Sequence, residues 1–159
     1  MASADEVVLR EYLERDLDTI VRLDEGCFAE EFRFDRSSMK AYAEARNAIS
    51  LVAEKEGEIV GFAIAHVDRV AAVWRGYVVT LDVAAEYRRR GLAGQMMQAV
   101  EMLAEAAGAQ RIELHVFTEN DAAIRFYERI GYERVARLRR FYGADGLDAF
   151  EYRKELTDL

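Results

Sequence analysis

The stretch Leu81-Asp82-Val83-Ala84-Ala85-Glu86-Tyr87-Arg88-Arg89-Arg90-Gly91-Leu92-Ala93-Gly94 decides how the rest of the chain is read. It follows an apolar run from Trp74 to Val83 that reads as a strand, and it precedes Leu92, Met96, Val100, Leu103 and Ala107, which share one face of a helix ending at Gly108. A basic, glycine-bearing turn between a strand and a helix puts unpaired backbone N–H groups and the positive end of a helix dipole where an anion can reach them. The turn is neither Gly-Lys-Ser/Thr nor Gly-x-Gly-x-x-Gly, so the nucleotide P-loop and the dinucleotide fingerprint are set aside. By itself it reads equally as a pyrophosphate cradle or as a solvated basic turn.

Downstream, Arg111–Phe117 alternates as a strand, with Ile112, Leu114 and Val116 on one side and Glu113, His115 and Phe117 on the other. Asn120 caps a helix running to Ile130, which Gly131 ends. Glu133–Tyr142 and Asp148–Leu156 read as the last two strands, joined through Gly143-Ala144-Asp145-Gly146. Upstream, Val7–Arg10 is a short strand, Asp16–Phe28 a helix, Ala29–Phe34 a loop and Asp35–Ala48 a second, weaker helix. Ser50–Glu54 and Glu58–Arg69 form a hairpin about Glu56-Gly57, and Trp74–Val83 places Tyr77, Val79, Leu81 and Val83 on one face. The order predicts an α/β fold: a mixed sheet with helices on its faces.

The 159 residues carry 22 Lys+Arg against 30 Asp+Glu, a formal net charge of −8, one cysteine and no proline. A chain near this size buries roughly 68–70% of its unfolded surface, so residues 1–159 are expected to form a single domain. The negative balance argues against nucleic acid held by many phosphate contacts. No apolar run approaches the ~18–20 residues of a membrane span, and the opening Met1-Ala2-Ser3-Ala4-Asp5-Glu6 has no signal-peptide pattern, which points to a cytoplasmic protein with no membrane partner. Cys27 alone forms no internal bridge, and no His/Cys/Asp cluster has metal-ligand spacing.

Two motifs together, Arg88-x-x-Gly91-x-Ala93 and the run Leu114 to Tyr132 with its Asn120-capped helix, Tyr127 and Gly131-Tyr132, resemble the GNAT superfamily of acetyl-CoA-dependent N-acyltransferases. The resemblance implies a mostly antiparallel central sheet splayed between strands 4 and 5 and flanked by about four helices. It implies acetyl-CoA as cosubstrate and no metal. The backbone of Leu81, Asp82 and Val83 would bond the pantetheine arm, with Val83 N–H on the thioester carbonyl, and Arg88, Arg89, Arg90, Gly91, Leu92, Ala93 and Gly94 would hold the pyrophosphate. Asn120, by itself a helix cap, would also bond pantetheine. Tyr127, by itself a core tyrosine, would donate to the departing thiolate.

Gly76-Tyr77-Val78-Val79-Thr80-Leu81 with Leu114-His115-Val116 resembles, more narrowly, N-terminal protein acetyltransferases of the ribosomal-protein and archaeal type, in which such a Tyr and His hold a water that takes the amine's proton. The catalytic set so implied is Tyr77, His115 and Tyr127. An imidazole of ordinary pKa ~6.5 suits the base role near neutrality. Arg140-Phe141-Tyr142-Gly143-Ala144-Asp145-Gly146-Leu147-Asp148-Ala149 is similar to the aromatic pair and Asp-Gly-x-Asp-Ala hairpin of the same proteins. Phe28, Ala29, Glu30, Val79 and Tyr142 would therefore meet the acceptor, although Ala29–Phe34 departs from the usual proline-containing loop, and Phe32 and Phe34 are equally core candidates. The implied reaction is direct acetyl transfer to an amine, first to a protein N-terminal α-amine. A polyamine, antibiotic or lysine acceptor is the alternative, and a non-catalytic acyl-CoA-binding module is an alternative of another class. The implied partners are acetyl-CoA and the amine acceptor, and a homodimer is compatible with the reading.

Overall fold

A computed structural model describes residues 6–143 and 146–156. The opening Met1–Asp5 and the Ala144-Asp145 centre of the last turn lie outside the described residues. In chain order the elements are β1 (Val8–Glu11), α1 (Leu17–Cys27), α2 (Arg36–Ala43), β2 (Ala48–Lys55), β3 (Glu58–Val70), β4 (Val73–Val83), α3 (Leu92–Ala106), β5 (Arg111–Phe117), α4 (Asp121–Arg129), β6 (Glu133–Tyr142) and β7 (Leu147–Glu155). One sheet runs β1-β2-β3-β4-β5-β7-β6, and β4–β5 is its parallel pair among otherwise antiparallel neighbours. This is the mixed, mostly antiparallel sheet with four α-helices that the sequence predicts.

The alternation of apolar residues along β3 explains the layering. Phe62 and Ile64 point to one face, where they pack with Leu17 and Ile20 of α1 and Met39 of α2. Ala63 and Ala65 point to the other, beneath Met96 and Val100 of α3. On that same side Ile112, Leu114 and Val116 of β5 pack with Met97 of α3 and Tyr127 of α4. Each helix thus buries one apolar stripe against a sheet face, the arrangement an α/β chain adopts to hide both.

The β2–β3 hairpin turns at Glu56 and Gly57, both at positive φ (52° and 83°), as a tight turn matching the twist of its strands requires. The second helix is shorter than Asp35–Ala48. Asp35 caps it by accepting the Ser38 N–H at 2.8 Å, and it stops at Ala43. Asn47 is drawn into the sheet instead: its carbonyl accepts the Val67 N–H at 3.0 Å, and its side-chain amide donates to the Val67 carbonyl at 3.2 Å. Pairing with β3 overrides the helical preference of the intervening residues.

Tyr77, Val79, Leu81 and Val83 do not share one face. The β3–β4 register shifts between Ile64↔Thr80 and Ala65↔Val78, leaving Val79 as an extra residue in β4. Such a bulge kinks the strand and changes which residues point to each side. Tyr77 lies opposite His66 and Thr80 opposite Ile64, toward α1 and α2, whereas Leu81 lies opposite Ala63, toward α3.

Candidate active site

The parallel ladder between β4 and β5 has three rungs, Arg75↔Arg111, Gly76↔Ile112 and Tyr77↔Glu113. Gly76 permits this close join, because a Cβ there would come within 2.7 Å of Ile112 Cδ1 and 3.3 Å of Ala104 Cβ. Beyond Tyr77 and Glu113 the strands separate, and a cleft of about 1120 Å³ opens between them. It is the splay the sequence reading anticipated.

One end of the cleft is built by the turn after β4. Gly91 sits at φ 81° at the N-cap of α3, a Cβ there or at Gly94 would meet nothing within 4 Å, and no side chain caps the first N–H groups of the helix, which starts at the cleft. Arg88 and Arg89 line this end with Ala93 and Gly94. Arg88 Nε donates to the Val83 carbonyl at 3.0 Å, tying the turn to the end of β4. Arg90 turns away over the Tyr87 ring, 5.4 Å from its centroid, into a separate hollow of about 390 Å³ that Leu92 also lines. Leu92 is otherwise buried in the core. Of the seven turn residues singled out in the sequence, these two do not border the main cleft.

Leu81, Asp82 and Val83 form one wall, and Asn120, Ala123, Arg125, Tyr127 and Arg129 form the wall opposite. Asn120 Oδ1 accepts the Ala123 N–H at 3.1 Å, so its capping role is real and its amide still borders the cleft. Tyr127 packs edge-on to Phe126 and Tyr132, and burial pushes its hydroxyl well above the ordinary phenol range. Cationic Arg125 and Arg129, spaced i, i+4 on α4, were not singled out in the sequence. Their spacing was the available signal.

At the other end, Tyr77 on β4 and His115 on β5 meet directly: the Tyr77 hydroxyl lies 2.7 Å from His115 Nδ1. His115 borders the cleft and stacks on Phe141 at 4.2 Å between centroids, while Tyr77 stands behind it. Burial lowers the His115 pKa from its ordinary value; Glu151, its cross-strand neighbour, opposes that, Arg75 adds to it, and Glu113 opposes it. Burial also pushes Tyr77 up to about 12, so it is a neutral phenol at physiological pH. The pair is flanked by an ion network in which Glu113 accepts from Arg75 and Arg153, both at 3.1 Å, and Arg75 also bonds Asp68 at 3.1 Å.

Above this pair is an aromatic wall. Phe32 lies 5.1 Å from Phe117 and 4.8 Å from Tyr142, and Phe28, Phe34 and Val79 complete it. Ala29 and Glu30 are exposed and do not border the cleft. Phe32 and Phe117 were not assigned to the site from sequence; Phe117 shares the strand face of His115 two residues earlier, whereas Phe32 lies in an irregular loop with no periodic signal. His66 stands apart, with Nε2 2.8 Å from the Tyr42 carbonyl.

The sequence pattern of the acetyltransferase (GNAT) family matches residues 15–132. The chain belongs to that family. An N-alpha-acetyltransferase of Sulfurisphaera tokodaii is 30% identical over 146 residues, covering 85% of this chain and 84% of the relative. N-alpha-acetyltransferase 30 of Schizosaccharomyces pombe is 44% identical over 78 residues, 49% of this chain, and the match spans about half of that relative's length (51%). Among solved structures, the ribosomal-protein-S18-alanine N-acetyltransferase of Escherichia coli superposes with a TM-score of 0.83 at 20% identity, covering 97% of this chain and 96% of that one. The GNAT fold is therefore the fold of this protein. Among the described residues no helix is long and apolar enough to cross a membrane, and no group of three or more His, Cys, Asp or Glu could hold a metal ion.

Proposed function

We propose that this protein moves the acetyl group of acetyl-CoA onto the α-amine of a polypeptide N-terminus by direct attack, in the cytoplasm. The carrying observation is the Tyr77–His115 hydrogen bond of 2.7 Å, set at the acceptor end of a cleft whose far end presents the open N-terminus of α3. The name of the S. tokodaii relative supports the same acceptor class.

Acetyl-CoA would supply the acyl group as a thioester. Its pyrophosphate fits the turn because the N-terminus of α3 has no side-chain cap, Gly91 and Gly94 leave room for close approach, and Arg88 and Arg89 add positive charge. Leu81 to Val83 pair with β3 on one edge of β4 but have no partner strand on the β5 edge, so the backbone N–H groups turned to that edge can bond the pantetheine arm, with Asn120 opposite. Tyr127, kept protonated by burial, donates a hydrogen bond to the thiolate as it leaves.

The incoming amine must be neutral to attack. In the tautomer whose Nδ1 hydrogen is donated to the Tyr77 oxygen, the lone pair of His115 is on Nε2, and burial, by lowering its pKa, favours the neutral ring that can take the amine proton through a water. An α-amine of pKa ~7.7–8.0 yields that proton more readily than a lysine of ~10.4, which matches this base to N-termini. Acetyl-CoA turnover on N-terminal peptides, lysine peptides with blocked N-termini and polyamines tests the reading. Transfer to the free α-amine alone is the expected outcome, and selective transfer to blocked lysine peptides or polyamines overturns it.

A further inference from the structure

Asp24 of α1 and Asp82 of β4 are 0% and 1% exposed. One oxygen of each is engaged: Asp24 Oδ2 accepts the Phe34 N–H at 3.0 Å, and Asp82 Oδ1 accepts the Thr80 hydroxyl at 2.5 Å. The other two, Asp24 Oδ1 and Asp82 Oδ2, are shut off from solvent and have no N–H or hydroxyl donor among the described residues. The two side chains meet carboxyl to carboxyl. If both were ionised, two acceptor-only oxygens would face each other in a dry site, unsatisfied and mutually repelling. One proton makes one of them a donor and satisfies both.

We infer that Asp24 and Asp82 share a single proton, and that this carboxyl–carboxylate bond is a clamp that positions the acceptor loop, residues 28–34, against strand β4. The loop is tied at both ends to this spot. At its start the Cys27 thiol donates to the Val83 carbonyl at 3.4 Å, and at its end Asp24 carries the Phe34 N–H. Arg33 Nε closes it across its own base by donating to the Phe28 carbonyl at 2.7 Å. The loop then offers Phe28, Phe32 and Phe34 to the cleft. Asp24 and Asp82 are positioning residues, acting through those rings.

Burial, then the facing Asp24 carboxyl, pushes Asp82 well above the carboxylate range; the Thr80 hydrogen bond and the Arg88 charge oppose this without reversing it. Cys27 of α1 and Tyr127 of α4 also face Asp82, and burial raises both, so neither is charged near neutrality. The pair therefore carries one negative charge, with Arg88 as the cation that faces it. As pH rises and the second carboxyl ionises, the shared proton is lost and the loop is released.

The clamp's role in acceptor binding rests on the proposed function, but the proton does not, and the tests separate the two. In a ¹³C NMR titration of the aspartate-labelled protein, one carboxyl of the pair should stay protonated well above the ~3.9 of an ordinary aspartate; two ionised carboxyls by about pH 6 would overturn the inference. Exchange of the Phe34 amide should be slow in the parent and in Asp24→Asn, whose amide can still donate to Asp82 and accept from Phe34, and fast in Asp24→Ala. Equal exchange in all three would overturn the clamp even if no peptide is ever acetylated. In turnover, Asp24→Ala should raise acceptor KM about tenfold with acetyl-CoA affinity within about twofold, and Asp24→Asn should restore the KM. The parent's KM should also rise at alkaline pH, a limb that Asp24→Asn lacks. Persistence of that limb in Asp24→Asn, or equal loss of both affinities in Asp24→Ala, counts against positioning by the pair.

Discussion

The two ends of the cleft are built in opposite ways. The α3 end comes from one continuous stretch, Val83–Gly94, and works through backbone: a left-handed glycine, uncapped N–H groups and a helix dipole. The acceptor end is assembled from the 28–34 loop, β4, β5 and the β6–β7 hairpin, and works through side chains: Phe32, Tyr77, His115, Phe117 and Tyr142. A backbone site tolerates changes that keep φ and space, so its sequence needs only a glycine and a small residue at the right spacing. A side-chain site is set by long-range contacts, so single substitutions there should separate acceptor effects from cofactor effects.

The largest break in that comparison is expected at His115. A positioned general base contributes about 10²–10⁴-fold, so His115→Ala should lower kcat by that factor while acetyl-CoA affinity, measured by calorimetry, stays near the parent's. At the other end, Gly91→Glu forces a side chain into a positive-φ position and puts negative charge at the helix N-terminus. Acetyl-CoA affinity should fall about tenfold to a hundredfold, and the thermal shift the ligand produces should shrink accordingly. Unchanged affinity in a folded variant would remove this turn from the site.

A smaller effect is expected from Tyr142→Ala, which deletes an edge-to-face contact with Phe32 at 4.8 Å. Acceptor KM should rise by about three- to tenfold with little change in cofactor binding, since an aromatic contact is worth ~0.5–1.5 kcal/mol beyond its buried area. The smallest effect is a displacement on the pH axis. Burial lowers the His115 pKa, so the base stays neutral below the ordinary ~6.5 and is lost only as pH falls through that depressed value. The acceptor amine should add a separate rise near ~7.7–8.0. In His115→Ala the lower limb should vanish and the upper one remain; a pH–rate profile of kcat/KM resolves the two. The same burial makes neutral His115 the favoured form in the fold, so its contribution to stability is likewise lost as pH falls below ~6.5.

Much of the fold was legible because its signals are local. Arg111–Phe117 and Glu133–Tyr142 fall at the bounds their alternation predicts, and Asn120 and Gly131 mark the ends of α4 as capping chemistry requires. The second helix was overextended because what ends it is a pairing: Asn47 bonds Val67, 20 residues away, and nothing in Ala45-Arg46-Asn47 announces a strand partner. The face of Tyr77 was misread for a similar reason. A bulge is a mismatch between two strands, and β4 alone carries no mark of the extra Val79.

Spacing and the intrinsic chemistry of neighbouring residues are enough to specify the strand–glycine turn–helix anion site, the alternation that sets His115 apart from the Leu114 and Val116 face, the caps and the charge balance. The folded arrangement sets everything that depends on where separate segments meet. It turned Arg90 away while keeping Arg88 and Arg89 at the cleft, brought Tyr77 into direct contact with His115 across 38 residues, and raised Phe32 against Phe117 and Tyr142 while leaving Glu30 in solvent. It also buried Asp24 against Asp82, two carboxyls 58 positions apart in the chain whose shared desolvation exists only once α1 lies on β4. Backbone conformation follows from neighbours in sequence, whereas desolvation and side-chain contact follow from neighbours in space.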